Sequence, residues 1–259
     1  MKELNKDMID FAKTLADVAR HNIMQTFRDL SSIEFKEDGS PVTVADIETE
    51  AKIRRLIENT YPGHAIYGEE HGHTHSDSRW TWVIDPIDGT RSFITGQPTF
   101  GSLIALLYDQ KPMLGIIDMP ALEERWIGII NQPTSHNGRA CQTNSKKSIE
   151  EATIFATTID MFTAEELKHF ERVSNEGRFR SFGLDCYAYG LLASGYADIV
   201  MESDLAIHDF LALVPIVSGA GGCISDWSGK PLTFSSGKQV LATANPTLHS
   251  ICLRIIRDA

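Results

Sequence analysis

The segment Trp82-Val83-Ile84-Asp85-Pro86-Ile87-Asp88-Gly89-Thr90 constrains this chain more than any other. An apolar run of strand-forming residues ends on a carboxylate. Pro86 then withholds an N–H from any ladder, and a second carboxylate follows at Asp88. Gly89-Thr90 can present consecutive backbone N–H groups. Two carboxylates at the C-terminal end of a strand, beside a glycine turn, suit a hard cation and an oxyanion together. The same residue types also suit a turn that only caps a helix.

The rest of the pattern supplies layers to cover such a strand. Met8, Phe11, Ala12, Leu15, Val18, Ala19, Ile23 and Phe27 recur at helical spacing and predict a long amphipathic first helix. A polar stretch, EFKEDGSPVT, follows, punctuated by Gly39 and Pro41. A second helix is expected from about Thr43–Asp46 to Thr60, with Ile47, Ile53, Leu56 and Ile57 inward and Tyr61-Pro62-Gly63 as its stop. Thr81–Ile84, Ser102–Leu107, Met113–Ile117 and Arg125–Ile130 then read as strands.

Beyond about residue 145 the two periods alternate. Strands are expected at Ile154–Thr157, Ile199–Glu202, Cys223–Asp226 and Gln239–Thr243. Helices are expected at Thr163–Asn175 with a Thr163/Glu166 cap, at Cys186–Gly195, at Phe210–Gly219 with a break at Pro215, and after Pro246. This mixture predicts layered α/β packing. It also suggests two halves, 1–145 carrying most of the carboxylates and 146–259 carrying Asp209, packed as one unit.

Composition narrows the partners. The 259 residues are 42% hydrophobic and 23% charged, an ordinary globular balance. The longest apolar stretches are too short to span a bilayer, and the mixed-charge N-terminus lacks the apolar core of a signal peptide. A cytoplasmic protein with no membrane partner is expected. The net charge of -11 argues against a nucleic-acid partner, although bound cations can still make a site for anions. Cys141, Cys186, Cys223 and Cys252 form no C-x-x-C pair and read as reduced thiols in or near a core.

Three further acidic positions accompany the first pair. Gly68-Glu69-Glu70 follows a short strand, where adjacent glutamates also serve as a solvated charge pair. Asp209, in Ile207-His208-Asp209-Phe210, opens an apolar helix and would also serve as an N-cap. Asp46 sits among apolar residues at the start of the second helix, where it too would cap.

Taken together these segments resemble the inositol monophosphatase family. GEE at 68–70, DPIDGT at 85–90 and Asp209 followed by GAGG at 219–222 occur in the family's order, and the resemblance runs across nearly the whole chain. It implies an αβαβα sandwich, a hydrolase of phosphate monoesters dependent on two or three Mg²⁺, lithium sensitivity and a homodimer. By resemblance, Glu69, Asp85 and the Ile87 carbonyl would hold one Mg²⁺, and Asp85, Asp88 and Asp209 a second. Glu69 would help place a third ion through water. The N–H groups of Gly89 and Thr90 would cradle the phosphate. The Thr90 hydroxyl, oriented by Asp46, would position and deprotonate the attacking water. One departure is His208, where many members have Trp; it would support the ligand or pack beside it.

The residues outside this cluster speak to the substrate. RSFITG after the metal motif and GLDCYAY at 183–189 look most like the histidinol-phosphate phosphatase branch of the family. Histidinol phosphate carries an ammonium and an imidazole, and Asp185 and Glu202 would give it acidic partners. Asp185 also reads as a helix cap, Glu202 as a solvated strand-end acid, and Arg91 as either a substrate contact or a surface residue. In His71-Gly72-His73-Thr74-His75, alternate histidines would share a strand face and chelate zinc. A surface loop is the plainer reading. Inositol 1-phosphate or a broad range of small esters is the alternative substrate, and a non-catalytic Mg²⁺-binding dimer the alternative of another class.

Overall fold

The computed structural model describes residues 4–29, 33–35 and 41–258. The expected Gly39 turn lies outside the described residues.

Helix α1 (Lys6–Met24) begins on Asn5, whose side chain accepts from the Met8 N–H. A ribbon of β1 (Ile33–Phe35) and β2 (Pro41–Thr43) leads into α2 (Val44–Thr60). The larger sheet comprises β3 (Ala65–Gly68), β4 (Gly72–Thr74), β5 (Trp80–Asp88), β6 (Gly101–Tyr108), β7 (Lys111–Met119), β8 (Glu124–Ile129), β9 (Ser135–His136) and β10 (Arg139–Ala140), in the order β10-β9-β8-β7-β6-β5-β3-β4. A short helix, α3 (Thr90–Ile94), leaves the end of β5.

The smaller sheet has the order β12-β11-β13-β15-β14. Its strands are β11 (Thr153–Ala156), β12 (Phe179–Phe182), β13 (Ile199–Glu202), β14 (Cys223–Ser225) and β15 (Val240–Thr243). Helices α4 (Ala164–Glu176), α5 (Tyr187–Ala193), α6 (Ile207–Phe210), α7 (Leu213–Gly219) and α8 (Pro246–Arg257) complete the chain. Thr163 and Glu166 form the expected reciprocal cap on α4.

Strand alternation sorts the side chains into three cores. Trp82, Ile84, Ile104, Leu106, Leu114 and Ile116 face α1 and α2. From the same strands Val83, Leu103, Ala105, Leu107, Ile117 and Met119 face the opposite way, onto α5, α7 and the smaller sheet. The far face of the smaller sheet, with Ile154, Ile199, Met201 and Leu241, packs on α4 and α8. The layers therefore run helix, sheet, helix, sheet, helix: the αβαβα sandwich. The middle core draws on residues from both sides of position 145.

Four local expectations need correction. Strand β5 does not stop before Pro86 but continues to Asp88, because a register shift against β6 between Asp85 and Asp88 absorbs the proline. Ile47 is 38% exposed rather than inward. The buried stripe of α2 starts instead with Asp46, Thr49 and Glu50 and turns apolar only at Ile53 and Ile57. The break expected at Pro215 falls earlier, at Leu211–Ala212. Pro215 sits in the first turn of α7, where a missing N–H leaves no intrahelical bond unmade. The histidine run is not a loop: its centre is the exposed edge strand β4, antiparallel to β3.

Candidate active site

The site forms at the C-terminal ends of two neighbouring parallel strands. β3 and β5 pair Gly68 with Ile84, and the Glu69 N–H donates to the Ile84 carbonyl. Glu69 and Asp85 are thus the next residues on adjacent strands. Residues three apart on a regular strand point to opposite faces. The bulge between Asp85 and Asp88 inserts one extra residue and returns both carboxylates to one side. The Ser102 hydroxyl pins it by donating to the Pro86 carbonyl at 2.6 Å.

Asp209 joins them from α6. It is not the N-cap its position suggested: Ala206 holds that place, and Asp209, three residues on, accepts from the Ala206 N–H through Oδ2 at 2.7 Å. Ligand atoms of Asp85, Asp88 and Asp209 lie within 4.8 Å of one another, as do those of Glu69, Asp85 and His208. Among the described residues these are the groups of three that could share an ion, and the histidine run joins neither. His71 Nε2 contacts the Ile47 carbonyl at 3.1 Å, and the His73 and His75 rings meet at 3.9 Å without a third ligand.

The electrostatics reflect carboxylates gathered without a counter-charge. Burial, then Glu69, Asp88, Asp209 and Asp46, push the Asp85 carboxyl well above the usual range. Burial, then Asp185 and Asp209, do the same to Asp88, although Oδ2 accepts from the Cys186 N–H at 2.6 Å. Burial raises Asp209 against the pull of His208. Burial also pushes Asp46 up to about 7 despite the opposing Thr43 hydrogen bonds. Asp85 Oδ1 and Asp46 Oδ1 are buried without a partner. Hard, clustered oxygen donors with buried, unpaired lone pairs fit a divalent cation.

These shifts set a sign for stability against pH. In the metal-free protein the folded state holds protons that the unfolded chain releases from about pH 4 upward, so stability falls as pH rises. Asp46 alone spans the window from 3.8 to about 7. Thermal melts in chelator should drop between pH 5 and pH 8, and a divalent cation should restore most of the loss at pH 8. Melts that are flat or rising over that range would contradict the site's charge balance.

Gly89 adopts φ 80° at the head of α3, and a Cβ there would lie 2.7 Å from Asp185 Oδ2. Conformation and space both exclude a side chain. The Gly89 and Thr90 amides stand at the helix start, where N–H groups lack intrahelical carbonyls. The Thr90 hydroxyl donates to the Ile87 carbonyl at 3.1 Å, and Asp46 Oδ2 accepts from the Thr43 N–H at 2.8 Å and from the Thr43 hydroxyl. The expected orientation of Thr90 by Asp46 is therefore not the arrangement seen. Each group takes a nearer partner, and the Ile87 carbonyl expected to face a cation is engaged by Thr90.

Asp185 and Glu202 line one small cavity with Asp88, Tyr189 and Asp209. Asp185 accepts from the Ser92 hydroxyl at 3.0 Å and does not cap α5, which begins from Cys186. Burial pushes Asp185 up to about 6, against Ser92 and the nearby charge of exposed Arg91. Glu202 is 2% exposed, not a solvated acid: Oε1 accepts from the Thr157 N–H at 2.7 Å and Oε2 from the Tyr189 hydroxyl at 2.8 Å. Burial pushes it up to about 7. The GAGG stretch lies away from the cluster, in the turn from α7 to β14, where the Gly219 and Ala220 carbonyls accept from Thr134 and Thr143.

One residue of consequence was missed in the sequence. Glu50, fully buried, accepts from the Glu70 N–H at 2.6 Å, the His71 N–H at 3.1 Å and Arg54 Nε at 2.7 Å. It ties down the loop that carries Glu69. It comes so close to β3 that a Cβ on Gly68 would overlap it, which explains the glycine of GEE. The available signal was its spacing of one helical turn from Asp46.

Comparison with known proteins follows the same outline. The sequence pattern of the inositol monophosphatase family matches residues 4–259. The chain is 46% identical over 232 residues to a bifunctional phosphatase IMPL2, chloroplastic, of Arabidopsis thaliana, covering 89% of this chain and 67% of that protein. It is 35% identical over 197 residues to a histidinol-phosphatase of Chlorobaculum parvum, covering 75% and 76%. The solved structure of an inositol monophosphatase from Zymomonas mobilis superposes with a TM-score of 0.91 at 41% identity, covering 99% and 100%.

Proposed function

The chain belongs to the inositol monophosphatase family, and within it we propose a Mg²⁺-dependent hydrolase of L-histidinol phosphate. It is a phosphatase of that family, a phosphoric monoester hydrolase, and the family uses divalent metal ions. No helix among the described residues is long and apolar enough to cross a membrane. Family membership supports the rest of the reading: two or three Mg²⁺, inhibition by lithium, a homodimer, and action in the cytoplasm on a small phosphate ester.

The observation that carries the substrate is Asp185, an acid in the cavity wall beside Asp88 and Asp209. A phosphate ester bound at the carboxylate cluster would direct its alcohol toward that wall. An ammonium or imidazolium there gains a charge-assisted hydrogen bond, where a neutral polyol offers hydroxyls only. Both oxygens of Glu202 already accept hydrogen bonds, so it would act through its charge, which develops as the carboxyl ionises at about pH 7. The similarity to the histidinol-phosphatase of Chlorobaculum parvum supports the same choice. The similarity to the inositol monophosphatase of Zymomonas mobilis favours inositol monophosphate as the second reading.

In this mechanism Glu69, Asp85, Asp88, Asp209 and the Ile87 carbonyl would hold the cations. Bound there, divalent ions neutralise phosphoryl charge and lower the pKa of the attacking water. The Gly89 and Thr90 amides would orient the phosphate. Turning the Thr90 hydroxyl from the Ile87 carbonyl toward the unpartnered Asp46 Oδ1 would free that carbonyl and point Thr90 at the water. Asp46, in its ionised form and with its pKa pushed up to about 7, would accept the hydroxyl proton of Thr90 as Thr90 takes one from the water. Little covalent help is required, because phosphoryl transfer depends chiefly on positioning and charge.

Asp185→Asn tests the substrate reading, because it keeps the volume and the Ser92 contact and removes only the charge. Its kcat/KM for histidinol phosphate should fall about tenfold or more, the worth of a hydrogen bond to a charged group. The value for myo-inositol 1-phosphate should change by less than about threefold. Equal losses on both esters would remove Asp185 from recognition.

A further inference from the structure

We propose that His208 is itself a ligand, completing a mixed nitrogen–oxygen site with Glu69 and Asp85 that favours a transition-metal ion such as Co²⁺ over Mg²⁺. The inference rests on the carboxylate cation site described above and adds a ligand of a different kind to it. Ligand atoms of the three side chains already lie within 4.8 Å of one another. Donors that share an ion at about 2.1 Å are at most about 4.2 Å apart, so closing on one requires about half an ångström of movement.

Two independent features point the same way. Asp85 is 2% exposed and its Oδ1 has no partner, an arrangement that burial penalises unless a cation takes the lone pairs. His208 Nε2 lies 3.2 Å from Asp209 Oδ1. A metal-binding histidine characteristically donates its other ring N–H to a carboxylate, which fixes the tautomer and the ring orientation. One ring nitrogen thus stands beside a carboxylate and the other, Nδ1, is buried with no hydrogen-bond partner, so the ring keeps a lone pair that no protein group uses. The Tyr67 ring stands 6.3 Å from the imidazole, inclined to it by 27°. Imidazole suits first-row transition ions, whereas Mg²⁺ favours oxygen and keeps its waters. Losing the nitrogen should therefore affect the two ions unequally.

The test uses the metal-stripped full chain and the ions alone, without substrate. Co²⁺ and Mg²⁺ are titrated separately by calorimetry, and the visible absorption of the Co²⁺ form is recorded. His208→Phe keeps a ring beside Tyr67; His208→Gln keeps a polar group in case the phenyl ring disturbs the fold. In both variants the Co²⁺ Kd should rise about tenfold or more and the Co²⁺ bands should shift and weaken. The Mg²⁺ Kd should stay within about threefold. Unchanged Co²⁺ affinity and spectrum overturn the assignment while leaving the carboxylate site standing. Equal weakening of both ions makes His208 a packing residue and also overturns it. Failure of the unaltered protein to bind either ion overturns this inference and the cation site together.

Discussion

Asp88→Asn is expected to lower kcat by about a thousandfold or more, roughly 4 kcal/mol of transition-state stabilisation, while the protein stays folded. The substitution changes almost no volume, and an asparagine oxygen can still accept from the Cys186 N–H that Asp88 now holds. It removes one negative charge from a cluster proposed to bind cations. The same charge repels Asp185 and Asp209 in the metal-free protein. The variant should therefore melt higher than the unaltered protein in chelator at pH 8 and gain less from added Mg²⁺. Reduced turnover with increased metal-free stability is the signature of a ligand. Reduced turnover with reduced stability would make Asp88 a structural cap, and turnover at the unaltered level would overturn the metal assignment.

Glu50→Ala should have the largest effect on the fold. It removes the only carboxylate bonded to buried Arg54 among the described residues, leaving that charge with the Thr74 hydroxyl and the Gly72 carbonyl, and leaves the Glu70 and His71 N–H groups without their acceptor. Breaking a buried ion pair by removing one partner costs about 3–5 kcal/mol. Activity should fall as well, because Glu69 loses the anchor that positions its loop. Glu50→Gln retains one acceptor oxygen and should fall between the two on both measures, read by thermal or urea unfolding and by kcat/KM. Stability and activity unchanged in Glu50→Ala would remove Glu50 as the support of the Glu69 loop.

The layered sandwich was legible because its outer helices bury one face and its central strands bury both. The first helix and the helix after Pro246 carry a helical period, the central strands of the larger sheet read as nearly unbroken apolar runs, and the Thr163–Glu166 cap marks a helix start by residue type. Errors arose where the buried face is polar. The first turns of α2 bury Asp46, Thr49 and Glu50, so a count of apolar residues turned Ile47 inward and overlooked Glu50. The bulge that brings Asp85 and Asp88 to one side has no signal of its own beyond Pro86 within an otherwise continuous strand. A capping bond and a place in the acidic cluster are likewise not alternatives at Asp209, since its carboxylate accepts from the Ala206 N–H and still lies within reach of Asp85 and Asp88. Asp185 and Glu202 were singled out for their acidity, but their burial and their partners come from contacts between chain segments far apart in sequence. No local pattern encodes those contacts.

The substrate reading meets its most direct test in kcat/KM with Mg²⁺ for histidinol phosphate and myo-inositol 1-phosphate, measured side by side on the unaltered protein. A preference of about a hundredfold for histidinol phosphate is expected, roughly 2.7 kcal/mol of discrimination in the transition state. Comparable values, or a preference for the inositol ester, would leave the phosphatase in place and contradict the proposed role of the acidic cavity wall.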